Sequence, residues 1–144
     1  MKDIKPLLEK LSNAHGISGW EGSIQQIVRE EIAPYVDEIK VDCLGNLIAI
    51  RKGEQPSIMI EAHADEIGLM VKQVDEKGFL RFIRIGGWFD QTLLNQRVII
   101  HTRSGPVTGV IGCKPPHVMK VEDRKKVVEA KDMFIDIGCS DQKE

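Results

Sequence analysis

The twelve residues from 57 to 68 restrict the fold and function of this chain more than any other stretch. They begin with an apolar run, Ile58 to Ile60, of the kind found in buried β-strands. His63 follows, then Asp65 two residues later, and Gly68 closes a turn. A strand holds a histidine in place at its end, and a nearby carboxylate orients the imidazole, as is common for metal-binding histidines. The stretch therefore predicts a strand that ends in a metal ligand, His63, assisted by Asp65.

His63 alone is a weak metal signal, because a single histidine is more often a satisfied structural residue. A catalytic zinc needs three protein ligands, and a two-metal hydrolase also needs a bridging carboxylate. Solvation explains the neighbouring carboxylates Glu61 and Glu66 equally well. The other histidines fall at a helix end, in a strand and in a proline loop, and form no ligand pair: His15, His101 and His117. The residues by themselves indicate half of a metal site.

Composition excludes several classes of protein. The chain has 144 residues with 42% hydrophobic side chains, enough for a packed core. Its net charge of −2 argues against non-specific nucleic-acid binding. No apolar run approaches the roughly 20 residues of a membrane span, and residues 1–6 lack the apolar core of a signal peptide. We expect neither nucleic-acid nor membrane partners.

The cysteines favour a reducing compartment. They are odd in number and widely spaced: Cys43, Cys113 and Cys139. A disulfide framework or structural zinc site is therefore not expected, and a cytoplasmic location is the simplest setting. We expect all three to be small, buried or half-buried side chains.

The first 68 residues are predicted to form an α/β half-layer. Apolar residues at helical spacing predict helices over 4–14 and 22–33, and alternation predicts a hairpin of strands 37–42 and 47–50. The loop between the helices is glycine-rich, but it lacks the lysine and spacing of a phosphate-binding loop. A helix connection with a Ser18–Glu21 capping box is the favoured interpretation.

The pattern changes near residues 68–72, where we place an internal boundary. Short strands with frequent turns predict a small β-barrel or sandwich after it. One charged segment, 121–130, is predicted to be a short helix. The predicted strands cover 69–74, 79–85, 97–101, 106–111 and 132–138.

Six motifs occur along the chain in this order: His15–Gly19, Leu44–Ala49, Ile58–Gly68, Asn95–Val98, Gly112–His117 and Phe134–Gly138. Together they closely resemble the glutamyl or deblocking aminopeptidases that assemble as tetrahedral (TET) particles, some of which are labelled endoglucanases or cellulases. The resemblance covers essentially the whole chain.

The resemblance implies the N-terminal part of a mixed α/β metallopeptidase domain, residues 1–70, followed by an inserted PDZ-like β-barrel module for dimerisation, residues 71–144. It implies an aminopeptidase that removes N-terminal residues from peptides by attack of metal-activated water. Two zinc or cobalt ions, and dimers to dodecamers, are expected by resemblance. His63 matches the family's first metal ligand, and Asp65 matches the assisting, catalytic aspartate.

Family chains are more than twice as long, and their remaining ligands and general-base glutamate lie beyond residue 144. We therefore expect this polypeptide alone to be inactive, with association through uncovered surfaces or disorder of residues 1–68. One alternative is a non-catalytic, truncated chain that acts in self-association. A remote alternative is an endoglucanase-type glycoside hydrolase, which needs carboxylates on both sides of the scissile bond.

Overall fold

The computed structural model describes residues 3–143 and contains two compact units, with the division between Glu66 and Ile67. The first unit carries the helices and the His63–Asp65 stretch, and the second carries most of the β-structure.

Both predicted helices of the first unit form. Helix α1 spans Lys5–Ser12 and helix α2 spans Gly22–Ile32, followed by a 3-10 turn at Ala33–Tyr35. Helix α2 is amphipathic and buries Ile24. A 2.8 Å ion pair between Lys10 Nζ and Glu31 Oε1 links the two helices.

The predicted hairpin also forms. Strand β1, Glu38–Val41, pairs antiparallel with strand β2, Leu47–Ile50. Asp42 organises the turn between them, because its carboxylate accepts the N–H groups of Leu44 and Asn46 and the side-chain amide of Asn46. These bonds, led by the Asn46 amide, hold the pKa of Asp42 below its ordinary value.

The strand predicted at residues 58–60 is wrong: no described residue from 51 to 65 lies in a strand. Ile58, Met59 and Ile60 are instead 84–91% exposed. An apolar strand needs hydrogen-bonded neighbours, and in the described part of the first unit β1 and β2 pair only with each other. The half-layer is thus two helices and one hairpin. Cys43, expected to be at least half-buried, is exposed.

The second unit is one antiparallel sheet of five strands in the order β3-β4-β7-β6-β5. β3 and β4 form one antiparallel hairpin and β5 and β6 form another, and β7 lies between β4 and β6 and pairs antiparallel with both. The strands are β3 Gly68–Val74, β4 Leu80–Ile85, β5 Arg97–Thr102, β6 Gly105–Cys113 and β7 Met133–Asp136.

Inward-facing residues of β4, β6 and β7 form the core of this unit, together with Leu93 and Ala130 from its loops. Ile111 on β6 is completely buried, and Met133 and Ile135 on β7 are nearly so. Since β7 lies centrally in the sheet, its alternate side chains fill the core with those of its neighbours.

Two predictions for the second unit are corrected. The sequence predicts a barrel or sandwich, whereas the structure contains one open sheet. In the described part of the chain, β3 and β5 lie at the edges of this sheet. The helix predicted over 121–130 is replaced by 3-10 turns at Asp123–Lys125 and Ala130–Asp132. Val121 and Val127 in this segment are exposed, so it has no buried apolar stripe to stabilise an α-helix.

Over residues 3–143, the structure contains no helix long and apolar enough to cross a membrane.

Candidate functional site

A loop of the first unit, residues 16–18, lies alongside residues 64–66. The Glu66 N–H donates to the Gly16 carbonyl at 2.7 Å, and Ile17 forms a parallel β-bridge with Glu66. Gly16 is buried against Ile24 of helix α2. The loop therefore joins the His63–Asp65 stretch to the helical part of the same unit.

The imidazole of His63 is oriented through one of its two nitrogens. Nδ1 lies 2.9 Å from the Asp65 backbone oxygen and 3.0 Å from Asp65 Oδ1. A carbonyl oxygen and an ionised carboxylate oxygen can only accept hydrogen bonds, so Nδ1 carries the hydrogen. In the neutral ring, Nε2 then keeps its lone pair. The His63 side chain is 85% exposed, which leaves Nε2 accessible to a ligand.

The second oxygen of Asp65 is held by Ser18, whose hydroxyl donates to Oδ2. The carboxylate therefore divides its two oxygens between a serine and a histidine. The Ser18 hydrogen bond is the main reason why the pKa of Asp65 lies below its ordinary value; partial burial opposes this shift, and His63 adds to it. Asp65 is consequently ionised at neutral pH.

The described residues supply one corner of a metal site. Residues 3–143 contain no group of three or more histidine, cysteine, aspartate or glutamate side chains that could hold an ion. His15 follows helix α1, His101 lies on β5, and His117 lies in a 3-10 turn, Pro116–Val118. The structure brings none of them into such a group with His63.

The sequence interpretation missed the role of Ser18. The predicted capping box is wrong, because α2 begins at Gly22 and its N-cap, Glu21, makes no side-chain capping bond. Glu21 Oε1 instead accepts the Gly19 N–H at 2.7 Å, and Ser18 contacts Asp65. Ser18 lies within the His15–Gly19 motif, which was the one feature of the sequence that could have indicated a role for it. Its hydrogen-bond partner, Asp65, lies 47 residues further along the chain.

Comparison with known proteins gives a consistent family match. The family model described as M42 glutamyl aminopeptidase matches residues 45–144, a range that contains both His63 and Asp65. Among curated proteins, the putative aminopeptidase FrvX of Escherichia coli (strain K12) is 40% identical over 139 residues. That alignment covers 96% of this chain and 39% of the relative, so the chain spans about two fifths of the relative's length.

Solved structures agree. The TET aminopeptidase of Thaumarchaeota archaeon SCGC AB-539-E09 superposes with a TM-score of 0.92 at 44% identity, over 96% of this chain and 39% of that one. The Pyrococcus horikoshii TET1 peptidase, described as assembling into a tetrahedron or a large octahedral shell, gives a TM-score of 0.84 at 38% identity, over 98% and 42%. The fold of this chain thus matches about two fifths of a TET aminopeptidase.

Proposed function

Since this chain belongs to the M42 glutamyl aminopeptidase family, we propose that it forms the N-terminal part of a metal-dependent aminopeptidase that removes N-terminal residues from peptides. The activity is proposed for the whole protein, because the chain spans only about two fifths of its relatives. The observation that carries the proposal is the orientation of His63, whose Nδ1 is hydrogen-bonded to Asp65 while Nε2 remains accessible.

The donor atoms present fit one ligand position of a zinc or cobalt site. A metal-binding histidine needs an unprotonated nitrogen and usually donates its other N–H to a carboxylate or carbonyl, and His63 does both. His63 Nε2 would hold the ion from this segment. When bound, such an ion polarises the substrate carbonyl and makes water a stronger nucleophile.

Asp65 is proposed as the catalytic residue next to the metal. Its ionised carboxylate stabilises the Nδ1–H form of His63 and raises the basicity of the ring as a ligand. We propose two metal ions in the whole enzyme, with the remaining ligands outside residues 3–143. Zinc and cobalt are both compatible with one imidazole and several carboxylates.

The two units are proposed to have different tasks. Residues 1–70 would contribute to the catalytic domain, and residues 71–144 would act as a PDZ-like module in dimerisation. The support is the assembly described for the Pyrococcus horikoshii relative. We propose that the whole protein forms a homo-oligomer, from a dimer to a dodecamer. We also propose that it is located in the cytoplasm.

The glycoside-hydrolase alternative is not favoured. A glycosidase needs two carboxylates on opposite sides of the bond, one of them able to donate a proton. Asp65 is ionised, and Ser18 and His63 occupy its two oxygens. It is therefore poorly suited to act as that acid.

The central experiment is His63→Ala in the whole protein, assayed by release of p-nitroaniline from aminoacyl p-nitroanilides and by metal content. We expect loss of metal-dependent activity, because the ligand nitrogen is gone. His101→Ala, which changes an exposed histidine on β5, is the matched control and should remain active. Wild-type turnover by His63→Ala would remove His63 from the site.

The 144-residue chain provides a second test. We expect it to bind zinc or cobalt weakly in a titration calorimeter and to release no p-nitroaniline, since its described part contains no cluster of three metal-ligating side chains. Tight binding of two ions by this chain would contradict the proposed division of the ligands.

A further inference from the structure

We propose that Ser18 is a positioning residue, and that the 16–18 loop fixes the ring of His63 through the carboxylate of Asp65. The inference deepens the proposed function, on which its metal-binding part rests. It follows from a relay of two hydrogen bonds, from the Ser18 hydroxyl to Asp65 Oδ2 and from His63 Nδ1 to Asp65 Oδ1.

Packing cannot orient His63. Its side chain is 85% exposed and lies in a segment without regular secondary structure. An exposed imidazole rotates unless hydrogen bonds restrain it. The bonds from Nδ1 to Asp65 are therefore what selects the ring orientation and the hydrogen position.

Asp65 needs a restraint of its own. Its side chain is 36% exposed, and the terminal torsion of an aspartate is broad, so the plane of the carboxylate is free to turn away from His63 unless a second contact holds it. The hydrogen bond from Ser18 to Oδ2 fixes this plane and thereby keeps the other oxygen, Oδ1, facing the imidazole. Removing the hydroxyl leaves the carboxylate free to rotate and to exchange its partners with water.

Ser18 is itself well anchored. The neighbouring Gly16 carbonyl accepts the Glu66 N–H at 2.7 Å, and the Ile17 carbonyl accepts the Trp20 N–H at 2.8 Å. Gly16 also lies against Ile24, which is 7% exposed in helix α2. The relay thus ends on a buried helical residue, and a fixed element of the unit sets the position of the exposed imidazole.

The test is the ¹⁵N NMR spectrum of the His63 ring in the whole protein, with labelled histidine and with metal removed by a chelator, recorded for wild type and four variants. Ser18→Ala removes the hydroxyl. Ser18→Thr keeps a hydroxyl, and Ser18→Val has the shape of threonine without it, so this pair separates the hydrogen bond from side-chain volume. Ser12→Ala is the matched control, because the Ser12 hydroxyl donates to the Leu8 carbonyl within helix α1.

In wild type, we expect ring shifts of a single neutral form with hydrogen on Nδ1. Ser18→Ala and Ser18→Val should shift both ring nitrogens toward an average of the two tautomers, whereas Ser18→Thr and Ser12→Ala should retain the wild-type shifts. Wild-type shifts in both Ser18→Ala and Ser18→Val would overturn the proposal. So would a Ser12→Ala effect of equal size.

A second readout also uses the whole protein. Ser18→Ala should weaken Co²⁺ binding, followed by its visible absorption, by about tenfold, the lower end for residues that orient a ligand. Ser18→Thr should restore it. An unchanged Co²⁺ affinity in Ser18→Ala would overturn the positioning role at the metal. The NMR result is independent of peptidase activity, so an inactive His63→Ala and an unaltered ring in Ser18→Ala would uphold the function and reject the positioning role.

Discussion

A methyl group placed on Gly16 would lie 2.5 Å from Cγ2 of Ile24 and 3.3 Å from its Cβ. Cγ2 is attached directly to the branched Cβ of a buried residue, so it cannot move aside by a change at the end of a flexible chain. The absence of a side chain at residue 16 therefore allows the 16–18 loop to lie against helix α2.

Gly16→Ala is expected to reduce the free energy of unfolding of the first unit by about 1–3 kcal/mol, the usual cost of forcing extra volume into a packed position. Urea denaturation and hydrogen exchange of the α2 amides would measure it. Gly53→Ala is the control, because a methyl group there meets no described atom within 4 Å. Equal stability of the two variants would show that the contact can relax.

Ile111→Ala should cost about 2–5 kcal/mol in the free energy of unfolding of the second unit, since Ile111 is completely buried at the centre of the core. Ile99→Ala on the edge strand β5 makes the same chemical change at a side chain that is 54% exposed. Its effect, measured by the same denaturation curve, should be much smaller. A similar loss in both variants would place the core elsewhere.

Acid should destabilise the second unit through Asp75. Partial burial pushes the pKa of Asp75 upward, but the N–H groups of Phe79 and Lys77 and the Arg81 guanidinium outweigh it and hold the pKa below its ordinary value. The stabilising contribution is therefore present above the unfolded pKa of about 3.9, and it is lost as the pH falls through the lower folded pKa.

Asp75→Asn should lower stability at neutral pH and flatten its dependence on pH in that acidic range. Denaturant midpoints between neutral pH and the acid limit of folding would measure both effects. Glu76→Gln removes an exposed carboxylate of the same turn and is the control for the loss of one negative charge. An unchanged slope in Asp75→Asn would assign the acid sensitivity to other groups.

Ile60→Lys should leave the folded chain as stable as wild type, because the Ile60 side chain is 91% exposed. It should also reduce association at high protein concentration, since Ile58, Met59 and Ile60 together form an exposed apolar run. Light scattering would measure association, and urea denaturation would measure stability. A loss of stability would mean that Ile60 is covered in solution.

Elements stabilised by local patterns were predictable from the sequence. Helix α2 follows from apolar residues at helical spacing, and the β1–β2 hairpin follows from alternation around a glycine turn. Asp65 beside His63 was also predictable, because the two residues are adjacent enough for a direct hydrogen bond.

Elements that depend on contacts with residues far away in the sequence were not predictable. The 58–60 run has the composition of a buried strand, but in the described structure no strand pairs with it. The 121–130 segment has helix-forming residues but forms no α-helix. The N–H of Ala130 at its end instead donates to Asp90 Oδ2, which is 40 residues away in the sequence. Ser18 resembles a helix cap locally, whereas its hydroxyl reaches a carboxylate far along the chain. Composition contains no information on which of these contacts forms.

The contact between Ser18 and Asp65 closes a loop of 47 residues, while that between His63 and Asp65 spans two. Closing a loop of that size costs chain entropy that only the surrounding contacts can offset. The histidine–aspartate pair can therefore form in a short peptide, but we expect its restraint by serine to form only after helix α2 and the hairpin, which lie within this loop, have folded. During folding, the candidate site should be among the last parts of the first unit to become ordered.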